Sequence, residues 1–301
     1  MNLRQIEVLR AVIRCETTMG AARELAMSQP AVSNAIKHME RQAGFALFER
    51  VNNRLLPTAD ARTLFAESES IFELHSTLNS RIQDMRERRT GHLRVISTPP
   101  LANAGLPVGL RNFMAKHADV RAHVDVGDAR RVLDAVQSGV SELGFVLASP
   151  RTPPSAHAQV LVHSNMVCVM PPQHALASRE LVRPQDLAGF PFVALHRDTT
   201  FGKAVRQSFL KVGETVDYLA ETRYCHTACL LVESGVGVSV VDPFSALAFR
   251  RTGMVVKRFE PQTPVTAYVV VSDRQPVSRL GGFFIDEMRR VLESVDVDVH
   301  A

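Results

Sequence analysis

The stretch Ala21–Glu40, AARELAMSQPAVSNAIKHME, leaves little freedom in local structure. Ala21, Ala22 and Leu25 give one apolar face to a short helix, and Met27, Ser28, Gln29 and Pro30 make a tight polar corner. Ser28 is a natural N-cap, and Pro30 falls in the first turn of the next helix, where a missing N–H costs nothing. Val32, Ala35, Ile36 and Met39 then recur at helical spacing and form a buried stripe. The opposite face holds Gln29, Ser33 and Lys37, each four apart, with Asn34 beside them. Short polar and cationic side chains in this arrangement suit a DNA major groove, where they can donate to base edges and phosphates.

The flanking segments extend this unit. Residues 2–15 form a preceding helix with Ile6, Leu9, Val12 and Ile13 on its apolar face. After the second helix come GFALFER (44–50), VNNR (51–54) and LLPT (55–58), which read as a two-stranded wing. Asn52 and Asn53 tolerate left-handed backbone and suit its tight turn. Arg50 and Arg54 flank the tip. Alone they read equally well as solvated surface; beside the helix-turn-helix, contact with phosphates or the minor groove is the better reading. Thr58 caps an element that runs to about Arg89 without Gly or Pro. Within it Leu64, Ser68, Ile71, His75, Leu78, Ile82 and Met85 follow a heptad seam, widened by Phe65 and Phe72. A helix of about 45 Å cannot bury that stripe on a wing domain alone. The expected partner is the same helix of a second subunit; the alternative is packing along the chain's own C-terminal domain. His75 is expected as a polar residue tolerated in that interface.

RERRTG (86–91) ends the helix, and a β-α-β-α-β alternation follows. Strands are expected at 92–98, 120–127 and 143–148, with helices between them; Pro150, Pro153 and Pro154 break the pattern. A second unit begins near Val162. It has strands at 166–172, 191–196, 216–222, 236–243 and 255–259, and helices at 201–213 and 225–235. A strand at 266–272 and a helix from about Val277 to Ser294 are expected to return to the first lobe. Two α/β units in series suggest a bilobed binding fold with a ligand in the cleft, at the carboxyl ends of the strands.

Composition narrows the class. No run approaches eighteen consecutive apolar residues, so no membrane span is expected. The N-terminus lacks a signal-peptide pattern. Cys15, Cys168, Cys225 and Cys229 are too few and irregular for a disulfide framework, which points to reduced thiols in the cytoplasm. Net charge is +4. Residues 1–90 hold 13 Lys and Arg against 11 Asp and Glu, and the remainder 22 against 20, so charge is not concentrated at the DNA end. The case for nucleic acid rests on particular residues. Catalytic and metal chemistry find little support. There is no Ser-His-Asp arrangement, Walker loop or strand-anchored GxGxxG, and Gly235-Val236-Gly237-Val238 leads into a strand. Cys225, His226 and Cys229 lie within one helical turn, but a metal needs further ligands; helix packing is the expected role, with Cys225 near the cleft rim.

With these pieces assembled, the chain resembles the LysR-type transcriptional regulators over its whole length. NLRQIE, AARELAMSQPAVSNAIKHME and LFERVNNRLLPT carry the N-terminal match. VCVMPPQHALA (167–177), ET at 221–222 and GVGVSVVDPFSA (235–246) look closer to the branch of the lysine-biosynthesis and opine-catabolism regulators. The resemblance implies an α+β multidomain chain with an N-terminal winged helix-turn-helix (1–58), a linker and dimerisation helix (59–90) and a C-terminal bilobed, periplasmic-binding-protein-like effector domain (91–301). Lobe I would take about 91–162 and 268–301, and lobe II about 163–267. It implies a DNA-binding regulator, not an enzyme, without cofactor or metal. Its partners would be an interrupted palindromic DNA operator, a small-molecule effector such as an amino acid or opine-like compound, and copies of itself in a homodimer or homotetramer. RNA polymerase is a further partner that the family allows, and a membrane is not. DNA contacts are expected from Gln29, Pro30, Ser33, Asn34, Lys37, Arg50 and Arg54. The dimer helix would use Leu64, Ile71, Leu78, Ile82 and Met85. Family geometry points for the effector to Thr98, Pro99 and Pro100, with helix N–H groups behind them for a carboxylate. Across the cleft lie His196, Asp198, Thr199, Thr200, Thr222, Tyr224 and Asp242. Asp198 reads equally well as a loop cap, and Asp242 as a turn residue before Pro243.

The chain departs from the family pattern at Glu16-Thr17-Thr18-Met19. There Thr18 stands for a bulky apolar residue and Met19 for a small polar one. Asn34 stands where many members carry Arg or Lys, and Ala59-Asp60-Ala61 lacks the usual glycine. Contacts at these points are not carried over from relatives. A rival class, a solute-binding or enzymatic α/β protein with an accessory N-terminal domain, needs an export signal or a catalytic constellation, and the sequence offers neither; a third reading is a DNA-bound architectural protein that has lost its ligand.

Overall fold

Helix α1 (Leu3–Cys15) opens on a reciprocal cap. Asn2 Oδ1 accepts from Gln5 N at 2.9 Å, and Gln5 Oε1 accepts from Asn2 N at 2.8 Å. Thr17 caps α2 (Thr18–Glu24) by accepting from Gly20 N at 3.0 Å, and Ser28 caps α3 (Gln29–Ala43) by accepting from Ala31 N at 3.4 Å. Gly44 ends α3 at φ +83°, a left-handed C-cap that suits glycine. Val32, Ile36 and Met39 of α3 are buried with Val8, Leu9, Ala11, Val12, Ala21 and Ala22 in one core; Ala35 is only half-buried. The wing is β1 (Phe48–Val51) paired antiparallel with β2 (Arg54–Pro57), Val51 opposite Arg54. It starts later than the sequence suggests, because Leu47 drops into the core and Glu40 Oε1 accepts from Leu47 N at 2.9 Å. The structure, a computed structural model, describes residues 1–52, 54–86, 91–249 and 252–300, so Asn53 lies outside the described residues. The chain divides into two units, Met1–Gln83 and Asp84–Ala301.

Helix α4 (Ala59–Arg86) begins where Thr58 Oγ1 accepts from Ala61 N at 3.2 Å. Its expected seam divides in two. Leu64 packs against the core of its own winged domain. Ser68 is 4% exposed and accepts from Arg10 Nη1 at 3.0 Å. The Arg10 guanidinium lies 4.7 Å from the ring centroids of both Phe65 and Phe72. These phenylalanines, expected to widen the stripe, hold Arg10 between them within the chain. Leu64 and Ser68 are engaged within the chain's own winged domain, by its core and by Arg10. Beyond them Ile71, Leu74, Leu78 and Ile82 are 42–55% exposed, and His75 is exposed beside them. Leu74, outside the expected seam, joins this bare stripe. The side chain of Met85 lies outside the described residues.

The second unit starts with β3 (His92–Ser97), α5 (Pro99–Asn103), α6 (Gly105–Lys116), β4 (Arg121–Val126), α7 (Ala129–Gln137), β5 (Leu143–Ala148) and β6 (Ala158–Asn165). The chain then passes into β7 (Val167–Met170), β8 (Leu181–Val182), α8 (Pro184–Leu187), β9 (Phe192–Leu195), α9 (Thr200–Leu210), β10 (Ala220–Thr222), α10 (Cys225–Glu233), β11 (Val238–Val241), α11 (Pro243–Leu247) and β12 (Val255–Phe259). It returns through β13 (Pro264–Val271) and α12 (Arg279–His300). One sheet has the order β4-β3-β5-β13-β6, with β13 antiparallel to both β5 and β6. The other has the order β10-β9-β11-β7-β12-β8. Strand β6, not among the expected strands, carries no clean apolar run: along AQVLVHSN buried, half-buried and exposed positions alternate irregularly. The strand expected at 216–222 shortens to Ala220–Thr222, since Tyr218 and Leu219 are exposed at the sheet edge.

Asp242 is enclosed where α11 packs against α5, α10 and α12. It is fully buried and caps α11, Oδ1 accepting from Ser245 N at 2.8 Å. No surface of Asp242 is left for a ligand, so its expected effector contact is replaced by a capping role. Burial raises its carboxyl pKa, against hydrogen bonds from Ser245 and Cys225 that oppose the rise. Oδ2 has no partner among the described residues.

Two outcomes follow from this packing. Arg10→Ala removes the stacked cation and its bond to Ser68 and should destabilise the N-terminal domain by about 2 kcal/mol in thermal unfolding; an unchanged transition would show that α4 does not need this clamp. Asp242→Asn keeps the cap acceptor without the buried charge. Because the folded pKa lies above the unfolded one, the wild type loses stability from this group as pH rises through that range. The gain in Tm of Asp242→Asn over wild type should therefore be near zero at about pH 4 and positive near pH 7. An equal gain at both values would contradict the raised pKa.

Candidate nucleic-acid interface and effector cleft

Helix α3 turns its buried stripe inward, which leaves Gln29, Pro30, Asn34 and Lys37 exposed and Ser33 half-buried. Gln29 Nε2 donates across the corner to Thr18 Oγ1 at 3.1 Å. Thr18 is thus the polar neighbour of Gln29, while Met19 stands 59% exposed. Toward the helix C-terminus a groove of about 790 Å³ is lined by Asn34, Lys37, Glu40, Arg41, Gly44, Phe45 and Ala46. Arg41 was not singled out from sequence; its signal is the i,i+4 step from Lys37, whose carbonyl it bonds through Nε at 3.3 Å. On the wing Arg50 is exposed. Arg54 Nη1 lies 3.1 Å from Glu16 Oε2 in a solvent-accessible ion pair. Arg14 bonds Glu24 and draws that carboxyl pKa down, whereas Glu24 raises that of the Cys15 thiol.

The residues expected around the effector fall on two lobes. Thr98 is 7% exposed, and its hydroxyl accepts from Leu147 N at 3.2 Å, which ties the end of β3 to β5. Pro99 and Pro100 occupy the first turn of α5 and have no N–H to offer, and Ala102 N is bonded to Thr98 O at 3.1 Å. The anion-holding helix end expected behind Thr98 is therefore stripped of most donors by the prolines that mark it. Lobe II is better equipped. Thr199 caps α9, accepting from Gly202 N at 3.0 Å, with Thr200 exposed in the first turn. Gly202 is required there, since a Cβ would lie 2.2 Å from the His196 carbonyl oxygen.

His196 N donates to Thr222 O at 2.8 Å, which joins the two loops that leave β9 and β10. The His196 ring stands between Asp198 at 3.7 Å and Glu221 at 3.8 Å. Glu221 Oε1 lies 2.8 Å from Arg206 Nη2, and the Arg206 guanidinium sits 5.6 Å from the Tyr218 ring centroid. Glu221 and Arg206 were not expected as site residues. Glu221 reaches the His196 loop because β10 pairs parallel with β9, a register that one sequence does not reveal, and Arg206 comes from α9. Tyr224 is 53% exposed, and its N–H donates to Thr222 Oγ1 at 3.4 Å.

Cys225 and Cys229 are buried in α10, so Cys225 is not on the cleft rim. Burial, with Asp242 nearby, raises the pKa of both thiols; the neutral thiol is a poor nucleophile and metal ligand. No group of three or more His, Cys, Asp or Glu among the described residues is placed to hold a metal ion. No helix among them is long and apolar enough to cross a membrane.

Comparison with known proteins agrees with this layout. Residues 3–62 match the model for bacterial regulatory helix-turn-helix proteins of the lysR family, and residues 86–293 match the LysR substrate binding domain. The chain is similar to the transcriptional activator protein LysR of Escherichia coli (strain K12), with 31% identity covering 93% of this chain and 90% of that protein. It is also similar to the octopine catabolism/uptake operon regulatory protein OccR of Rhizobium meliloti, with 30% identity covering 83% and 82%. The crystal structure of CbnR, a LysR family transcriptional regulator, superposes with a TM-score of 0.75 over 97% of this chain and 99% of that one, at 19% identity, which is a likeness of fold. The wing, the recognition-type helix and the two-sheet effector domain thus have one source: the chain belongs to the LysR family and is a DNA-binding transcriptional regulator, not an enzyme, with a C-terminal effector-binding domain.

Proposed function

We propose that Gln29, Pro30, Ser33, Asn34 and Lys37 of α3, with Arg50 and Arg54 of the wing, form the operator interface, and that an effector carrying both charges binds between the two lobes. The observation that carries the DNA reading is the exposed row Gln29, Asn34 and Lys37 opposite the buried stripe Val32, Ile36 and Met39. Gln29 reads a base edge, and Lys37 neutralises phosphate. Arg54 exchanges Glu16 for phosphate on binding. The exposed stripe Ile71, Leu74, Leu78 and Ile82 supports pairing of α4 with a second copy. That pairing places two recognition helices on an interrupted palindrome, in a dimer or tetramer. The functional parts are the winged domain 1–58, the linker and dimerisation segment 59–90 and the effector domain 91–301, acting in the cytoplasm.

For the effector, the carboxylates of Asp198 and Glu221 around His196 suit a ligand cation, and the N-terminal turn of α9 suits its carboxylate. Thr200, Thr222 and Tyr224 line the same loops, with Thr98, Pro99 and Pro100 on the opposing lobe. An amino acid or opine-like compound has both charges, and a relative named for the octopine catabolism/uptake operon is in keeping with it. Effector binding shifts the lobes and changes the geometry of the bound promoter.

Lys37→Ala should weaken binding to specific and random duplexes alike and reduce the salt slope by about one, measured by fluorescence anisotropy across a salt series; a loss confined to the specific duplex would refute the phosphate role. In a thermal-shift panel of octopine, nopaline, lysine, arginine and simple dicarboxylates, a ligand with both charges should raise Tm, and Glu221→Gln should reduce that shift. A response to dicarboxylates alone would overturn the effector class.

A further inference from the structure

The bond between Gln29 and Thr18 spans the corner between α2 and α3. Thr18 is the first residue of α2, half-buried behind the Thr17 cap, and Gln29 is the first residue of α3, exposed behind the Ser28 cap. Both ends of the 3.1 Å bond are therefore anchored on capped helix starts. A glutamine amide has two N–H donors and one acceptor oxygen, on a terminal torsion that is broad when unrestrained. Adenine in the major groove offers N7 as an acceptor and its amino group as a donor, whereas guanine offers two acceptors, N7 and O6. The bond to Thr18 occupies one N–H of Gln29. What remains is one N–H and the oxygen, the pair that matches adenine and sets an acceptor against guanine O6.

We propose that Thr18 is a positioning residue for base reading: it holds the Gln29 amide in the orientation that selects adenine. Thr18 touches no base itself. It also orders a flexible side chain before DNA arrives, which lowers the entropy lost on binding. The inference rests on the reading of Gln29 as a base contact, and its test separates the two.

The test uses the full-length protein and a pool of random-sequence duplexes, followed by affinities for the selected duplex and its single-base variants. Gln29→Ala should abolish preference at one position of each half-site, which assigns that position to Gln29. Thr18→Val, with the same shape and no hydroxyl, should cut adenine-over-guanine discrimination there by about fivefold, the factor of one neutral hydrogen bond. Other positions and random-duplex affinity should stay unchanged, and Thr18→Ser should restore the preference. If valine is not tolerated at the start of α2, Thr18→Ala gives the same comparison. A Gln29→Ala protein with unaltered preference at every position overturns the reading of Gln29. Altered preference in Gln29→Ala with wild-type behaviour in Thr18→Val overturns the role of Thr18 alone. So does an equal loss at all positions in both Thr18→Val and Thr18→Ser, or a Gln29 position that prefers another base.

Discussion

Val32, Ile36 and Met39 hold the recognition helix in place by burying themselves against α1 and α2. Each such side chain contributes roughly 1.5–3 kcal/mol when removed from water. That stripe dictates which face of α3 is left outside, and every proposed base contact is a consequence of it. The caps reinforce the same choice. Thr17 and Ser28 start α2 and α3 at particular residues, so Thr18 and Gln29 meet across the corner. A one-residue shift of either helix start would rotate its side chains by about 100° and break that meeting.

The same logic of competing partners governs α4. A heptad seam promises an intersubunit contact along its length, but a helix has more than one neighbour. Arg10 takes Ser68, Phe65 and Phe72 for the chain's own winged domain, and Leu64 joins that core. Among the described residues, the later turns leave Ile71, Leu74, Leu78 and Ile82 bare. The helix thus begins as part of the winged domain and continues with an apolar stripe left bare, the stripe proposed to pair with another copy. Polar interruptions in a seam, Ser68 here, can mark the point where one partner gives way to another.

In the effector domain, residue types that look alike in sequence separate by burial. Thr98 and Asp242 follow strand ends in the same manner as His196, yet the first two are engaged by backbone N–H groups in the interior. His196 keeps its ring between two carboxylates at the surface. Prolines are double-edged in the same way. Pro99 and Pro100 favour a helix start and also remove the donors that an anion would need. Helix α9 instead begins with Thr199, Thr200, Phe201 and Gly202, whose N–H groups are not removed by proline.

The sequence by itself determined the helix-turn-helix, the wing, the long α4 and the alternation of strands and helices. Capping residues, apolar spacing and Gly or Pro breaks act over a few residues and are legible locally. The match of residue patterns likewise carried the family. Tertiary structure decided what depends on distant partners: Glu221 and Arg206 beside His196, Arg10 clamped on α4, Thr18 bonded to Gln29, and Asp242 shut inside. These pairings join residues 11 to 58 positions apart or rest on strand register. Burial and hydrogen bonding between such residues follow from packing geometry, which no local pattern encodes.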